Sequence, residues 1–356
     1  MGIKSQERRD GYVDIMTETL EELGWRSFFS AQMAAHEAAG CHPVRVMAVH
    51  RGKIAVAGER TTRLISPHIA DATIAEEHPT VGDWLLIDNA TFEIKHVLQR
   101  ANLFKRRAAG HDKRTQLIAA NVDTLFVVAS CNQDFSAPRL ERYLVLAREV
   151  GVQPVVILTK IDLTDTPDSF VAAVRDLQPG LAIEAIDGRD RDSVARLSRW
   201  CGKGQTVALL GSSGVGKSTL VNSLRGSDSI ATQAIRKGDD TGRHTTTVRE
   251  MHRLEGGGWL LDTPGMRELQ LVDAGTGIAE VFDDIVDMAD HCRFSDCTHD
   301  VEPGCAVQTA IASGQLERTR LERWRKLASE ETYNSASQAE RRALDRIAGR
   351  GAGKKK

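Results

Sequence analysis

The sequence predicts a multidomain chain with three parts in succession. An N-terminal OB-type β-barrel comes first, then a central α/β domain built around a phosphate-binding loop in circularly permuted order, then a C-terminal, mostly helical, metal-binding domain. Three observations carry this. Gly211-Ser212-Ser213-Gly214-Val215-Gly216-Lys217-Ser218 fits G-x-x-x-x-G-K-[ST], with an apolar run, 206–210, before it and a helical pattern, 218–224, after it. Short apolar runs broken by turn residues fill the stretch from Pro43 to Leu98. Cys292, Cys297, His299 and Cys305 fall within fourteen residues.

Composition bounds the answer. A chain of 356 residues has room for two or three domains. Its 41% hydrophobic and 27% charged content is ordinary for a soluble globular protein. No apolar run approaches the ~18 residues of a membrane span, and Met1 to Asp10 lacks the apolar core of an export signal. A cytoplasmic protein with no membrane role is expected. Of the six cysteines, three sit between Cys292 and Cys305, which suits a reducing compartment and a metal site better than a disulfide framework. The net charge of −2 hides a basic run: Lys95, Arg100, Lys105, Arg106, Arg107, Lys113 and Arg114 stand against Asp112 alone. The tail from Arg341 is also basic and ends in three lysines. Such stretches in a near-neutral chain point to a polyanionic partner.

The elements follow in order. Residues 1–40 read as a mostly helical extension, with Leu20, Leu23, Trp25, Phe28 and Phe29 as apolar points for packing onto a neighbour. Residues 41–107 read as the OB-type barrel, with strands around 44–49, 54–56, 83–87 and 93–98 and the basic segment 95–107 as its last strand and exit. Residues 108–282 alternate buried-strand runs (124–128, 155–158, 206–210, 259–261) with helical patterns such as 139–150, so a parallel sheet with helices on its faces is expected. Gly256-Gly257-Gly258 turns the chain between 248–254 and the 259–261 strand as a hairpin. Residues 283–335 hold the cysteine cluster and an amphipathic helix over 316–331, and 336–356 read as a disordered tail.

The central domain carries the chemistry. Glycines at 211, 214 and 216 let the backbone N–H groups of Gly211 to Ser218 curl around phosphate oxygens, at the positive end of the following helix. Lys217 would reach the β- and γ-phosphates. Ser218 would ligate Mg²⁺, with Thr219 beside it. Thr159-Lys160-Ile161-Asp162 ends a parallel strand, where ligands bind in open α/β sheets. The Asp162 carboxylate can accept from guanine N1–H and the N2 amine together, a donor pair adenine lacks. If buried, it would penalise the wrong base. Asp262-Thr263-Pro264-Gly265 stands at another strand end. Asp262 suits the hydration shell of Mg²⁺, and Gly265 can offer its N–H to the γ-phosphate. Gly242-Arg243-His244-Thr245-Thr246-Thr247 lies between. One of its threonines completes the Mg²⁺ shell, and Thr246 is the choice made here. These are the parts of a GTPase, but the base reader precedes the phosphate loop, so the fold is circularly permuted. The segment after Gly265 then leads straight into the C-terminal domain and could pass on movement at hydrolysis. Met266 follows where a water-orienting glutamine would serve, and a thioether cannot position water. His244 is therefore the candidate for that task.

Three thiolates and an imidazole make a closed tetrahedral Zn²⁺ site. Cys292, Cys297, His299 and Cys305 leave no open position, so the site reads as structural. His291 is an alternative to His299, though its adjacency to Cys292 makes joint ligation awkward.

Taken together, these stretches resemble the ribosome small-subunit-dependent GTPase A (RsgA) family of circularly permuted GTPases. The likeness covers roughly 43–330. It is carried by Val81 to Trp84, Ile118 to Asp123, Gly211 to Ser218, Gly242 to Thr247, Asp262 to Glu268 and Cys292 to Cys305. The resemblance implies a cytoplasmic, mostly monomeric protein that binds GTP and GDP, contacts the small ribosomal subunit and its rRNA, and hydrolyses GTP slowly until the subunit stimulates it. It also matches His244 to the family's switch histidine. Thr159 departs from the usual asparagine, and a hydroxyl cannot bridge base and phosphate loop as an amide does, so weaker guanine affinity is expected. A different class remains open: an RNA-binding module whose nucleotide only switches affinity, with turnover incidental. An ATP-using enzyme is opposed by Asp162.

Overall fold

The computed structural model describes residues 18–33, 40–59, 61–69, 72–107, 115–226, 249–262, 266, 269–336 and 340. Expectations for 1–17, 108–114, 227–248 (with His244 and Thr246), 263–265 (with Gly265) and the tail 341–356 fall outside these residues.

The barrel forms because its runs alternate in period two. Strand β1 (Cys41–His50) is flanked by β2 (Lys53–Gly58) and β4 (Trp84–Asp88), while β3 (Thr61–Ile65) extends from β2 and β5 (Ile94–Val97) from β4. Every pairing is antiparallel, and the five strands make a partly open barrel of the expected type. Val44, Val46, Ile54, Val56, Ile65, Leu85, Ile87 and Ile94 fill its interior. The basic segment 95–107 holds the end of the last barrel strand, β5, and the exit from the barrel, as expected. Arg100 turns inward onto Asp83, donating to its two oxygens at 2.7 and 2.8 Å, and breaks the run. Beyond the break, β6 (Leu103–Arg107) pairs with β7 (Thr115–Ala120) as a separate antiparallel ladder.

The α/β part holds β8 (Thr124–Ser130), α2 (Ala137–Glu149), β9 (Gln153–Thr159), α3 (Pro167–Arg175), β10 (Ala182–Ala185), α4 (Arg191–Ala195), α5 (Ser198–Cys201), β11 (Thr206–Gly211), α6 (Lys217–Arg225), β12 (Arg249–Arg253) and β13 (Trp259–Asp262). Strands β10, β9, β8, β11 and β13 lie parallel in that spatial order. All seven residues of β8 are buried, as befits a strand covered on both faces. Strand β12 closes the order antiparallel to β13, making the expected hairpin.

One feature was not foreseen. The other edge of β12 pairs with β1, Glu250 opposite Ala48 and Arg249 opposite Val49, so barrel and α/β domain share an eleven-stranded sheet. The described part of the N-terminal extension contains α1 (Ser27–Met33) and straps this junction. Leu23 and Phe29 are buried, Trp25 meets Trp84 edge-on at 4.7 Å, and Trp259 Nε1 donates to the Glu22 carbonyl at 2.8 Å.

Helices α7 (Gly275–Val281), α8 (Asp283–Ala289), α9 (Ala306–Ala312) and α10 (Arg318–Ser335) complete the described fold. Helix α7 lies so close to α2 that a Cβ on Gly277 would sit 2.3 Å from the Val145 carbonyl oxygen. Among the described residues no helix is long and apolar enough to cross a membrane.

Candidate active site and metal centre

Strand β11 delivers the phosphate loop and α6 receives it. Gly214 and Gly216 take φ of +79° and +94°, the left-handed region that glycine enters without strain. Gly211 is required by space: a Cβ there would lie 2.4 Å from the Val128 carbonyl oxygen of β8. Val215 anchors the loop in the core, and Ser213, Gly214 and Ser218 are exposed to solvent. Lys217 begins α6. Its ammonium donates to the Gly211 carbonyl at 2.7 Å and to the Ser212 carbonyl, so it stays folded over the loop. The nine residues of α6 point their N-terminus at this loop, with Ser218 and Thr219 in the first turn.

Strand β9 brings the Thr159 to Asp162 motif to the same end of the sheet. The contact between the two motifs runs through Thr159. Its hydroxyl lies 2.6 Å from the Val215 carbonyl oxygen and 3.2 Å from that of Ala129. The hydroxyl thus holds the loop's main chain from the protein side, and whether it also reaches the base, as an amide would, bears on the weaker guanine affinity expected of threonine. Lys160 sits at φ +59°, and a single 3₁₀ turn, Ile161–Leu163, follows. Asp162 is exposed rather than buried. Any penalty on the wrong base then requires the base itself to cover the carboxylate. Asp262 ends β13, two strands from β8 on the far side of β11. Met266 is buried, which keeps its thioether away from solvent.

Arg139, in the first turn of α2, was missed by sequence reasoning except as a helix start. Its Nη1 donates to the Ser212 hydroxyl at 2.8 Å. The only signal was a cation placed at the positive end of a helix.

The cysteine cluster assembles as expected. The ligand atoms of Cys292, Cys297, His299 and Cys305 all lie within 4.8 Å of one another. Cys292 Sγ and Cys305 Sγ are 3.9 Å apart, and each is 3.6 Å from His299 Nδ1. With bonds of about 2.3 Å to sulfur and 2.0 Å to nitrogen, tetrahedral edges come to about 3.5–3.8 Å. The donor set therefore fits one tetrahedral metal ion. His291 is not in the group, since its Nδ1 lies 2.8 Å from the Asp287 carbonyl oxygen. His299 reaches the cluster from a left-handed backbone position, φ +60°, and its ring lies 5.8 Å from that of Trp324 on α10. The remaining buried thiols, Cys131 and Cys201, are pushed up to about 11 by burial and are poor nucleophiles.

Helix α2 joins the two sites. Glu141, fully buried, accepts on Oε1 from Arg320 at 2.8 Å and from Arg323 at 3.0 Å, both of α10. Arg320 also holds Asp284 at 3.0 Å and donates to the Val281 carbonyl at 2.7 Å. Arg142 pairs with Glu330 at 2.5 Å and donates to the Leu269 carbonyl at 3.3 Å, seven residues beyond Asp262.

Comparison with known proteins agrees with this geometry. The model of the RsgA GTPase family matches residues 97–272. The chain is 47% identical over 331 residues to the small ribosomal subunit biogenesis GTPase RsgA 2 of Vibrio parahaemolyticus, covering 93% of this chain and 91% of that protein. It is 45% identical over 346 residues to the small ribosomal subunit biogenesis GTPase RsgA of Mesorhizobium japonicum, covering 95% and 97%. Its fold matches the crystal structure of YjeQ from Thermotoga maritima with a TM-score of 0.59 at 25% identity, over 81% of this chain and 97% of the other. It also matches YloQ, a circularly permuted GTPase, with a TM-score of 0.57 at 22% identity, over 85% and 99%. With near-complete coverage at such identity, a phosphate loop downstream of its base motif and a four-ligand cluster behind it, this chain belongs to the RsgA GTPase family.

Proposed function

We propose that the chain is a GTPase acting in late maturation of the small ribosomal subunit. It binds the subunit and its rRNA, hydrolyses GTP when the subunit stimulates it, and is released. The observation that carries the reading is the Thr159 contact with Val215, which sets the guanine-type motif against the phosphate loop from the upstream side of the chain. The names of the relatives supply the ribosomal context.

In this reading water attacks the γ-phosphorus, the bond to the β–γ bridging oxygen breaks, and GDP and inorganic phosphate leave. Backbone N–H groups of Gly211 to Ser218 hold the phosphates, and Lys217 swings from its carbonyl partners onto the β- and γ-oxygens. Thr159 to Asp162 hold the guanine. The hydroxyls of Ser218 and Thr246, with Asp262 behind them, are the groups for Mg²⁺, which would neutralise charge on the phosphates. Thr219 supports the loop from α6, Gly265 senses the γ-phosphate, and His244 orients the water. Cys292, Cys297, His299 and Cys305 hold one zinc ion whose role is structural, closing the loop that α10 rests on. The working units are the extension 1–40, the barrel 41–107, the GTPase domain 108–282, the zinc domain 283–335 and the basic tail 336–356, in a monomer of the cytoplasm.

Base selectivity tests the site. Asp162→Asn removes the double acceptor, and GTP affinity should fall by about 10². Xanthosine triphosphate, which presents a carbonyl where guanine has its amine, should bind the variant better than GTP does. Unchanged GTP affinity in the variant would end this assignment.

A further inference from the structure

We propose that Arg139 is a positioning residue for the nucleotide's phosphates, acting through Ser212 of the phosphate loop and telling GTP from GDP by charge. The inference rests on the reading of 211–218 as the GTP site, and deepens it.

Three observations carry it. Arg139 Nη1 donates to Ser212 Oγ at 2.8 Å, while the Lys217 ammonium donates to the carbonyl of that same residue. Two cations thus converge on one residue of the loop. Next, Arg139 stands apart from the other arginines of α2. Arg142 pairs with Glu330 and Arg148 with Glu280, but among the described residues Arg139 has no carboxylate partner. Finally, Arg139 occupies the first turn of a thirteen-residue helix that has no acidic residue there. The N-terminal end of a helix is positive, so a cation in that turn is unfavourable in the empty protein. A polyphosphate in the loop adds an attraction to the guanidinium that outweighs these unfavourable terms. The triphosphate carries more charge than the diphosphate, so the guanidinium favours GTP more strongly. Its hydrogen bond to Ser212 keeps it at the loop and fixes the hydroxyl's orientation.

The test uses the full chain and Mg²⁺ with GTP or GDP, and compares wild type with Arg139→Ala and Arg139→Lys. GTP affinity of Arg139→Ala should fall roughly tenfold, the size of one charge-assisted contact. GDP affinity should fall less than threefold. Arg139→Lys should recover GTP to within about threefold, and the GTP-specific loss should shrink with added salt. Without nucleotide, the melting temperature of Arg139→Ala should be unchanged or higher, a result that a merely structural role would not give. Equal losses for GTP and GDP, no loss at all, no recovery with lysine, or a destabilised empty protein would each overturn the proposal. A wild-type chain that binds no GTP would instead overturn the underlying site assignment, and this inference with it.

Discussion

The two joints that hold the α/β domain are made of different materials. Toward the barrel the joint is main chain. Strand β1 pairs directly with β12, and Arg45 of β1 lies buried beneath the N-terminal strap and the start of β11, mostly with carbonyl oxygens as partners. Its guanidinium donates to Thr206 Oγ1 at 2.8 Å and to the carbonyls of Asn121, Gly82 and Leu23. With no carboxylate in direct contact, burial pushes Arg45 down to about 10. Gly82 is pressed there too, since a Cβ would lie 2.2 Å from the Ala120 carbonyl oxygen. Toward the C-terminal helices the joint is made of side chains: Leu140 and Leu144 share an apolar core with Leu321 and Leu327, beside the ion pairs of Glu141 with Arg320 and Arg323 and of Arg142 with Glu330. Backbone ladders ignore salt, and the partly exposed Arg142–Glu330 pair is screened by it, whereas the buried Glu141–Arg320 pair is screened much less. Barrel and GTPase sheet therefore behave as one body. On the C-terminal side, Arg142 touches both α10 and the chain just beyond β13.

Arg45→Ala should break the first joint and show the largest effect. It removes a filled volume and strands several buried acceptors, a cost of roughly 3–5 kcal/mol. Denaturant unfolding should show barrel and GTPase sheet losing stability together. Separate transitions for the two would contradict the shared sheet. Metal removal addresses the second joint alone. A strong chelator, or Cys297→Ser, should unfold the 292–305 region and loosen α10 through His299 and Trp324, leaving GTP binding within about twofold. Loss of GTP binding on chelation would show that the two joints are not separable.

Smaller changes sharpen the contrast. Glu141→Ala leaves Arg320 and Arg323 buried with less counter-charge and should cost about 3 kcal/mol. Its effect should read out as increased proteolysis within α10 before the sheet is touched. The pair Arg142 and Glu330 is partly exposed, with side chains 24% and 34% accessible. A double-mutant cycle should give a coupling of about 0.2–1 kcal/mol that fades in high salt. A larger, salt-insensitive coupling would make the second joint resemble the first.

Much of this was legible because it is local. The glycine loop 211–218 between its strand and helix, the barrel's alternating runs and the Cys/His cluster are each written within short windows, and these elements fold where expected. What was not legible depends on neighbours distant in sequence. Val44 and Val46 face the barrel core, so Arg45 between them reads as a solvent-facing residue. It is buried because the strap at Leu23 and the start of β11 cover the barrel's other face. The β1–β12 pairing joins strands some two hundred positions apart, and no local pattern announces it. Within the 95–107 exit, the capture of Arg100 by Asp83 and the β6–β7 ladder likewise depend on partners from other elements. Burial pushes the Asp83 carboxyl up while the guanidinium of Arg100 pulls it back, a balance the sequence does not display. At the candidate site, the sequence shows that Thr159 lacks a bridging amide but not what its hydroxyl meets. Its contact with the Val215 carbonyl, 56 positions away, is a long-range feature that no local pattern shows.

The central claim is that this chain turns over GTP in response to the small ribosomal subunit. The direct measurement is steady-state GTP hydrolysis by the full chain with purified small subunits, with large subunits, and with neither. The account predicts slow turnover alone, little change with large subunits, and a rise of about 10² or more with small subunits that His244→Ala abolishes while GTP still binds. Equal rates under all three conditions would contradict it.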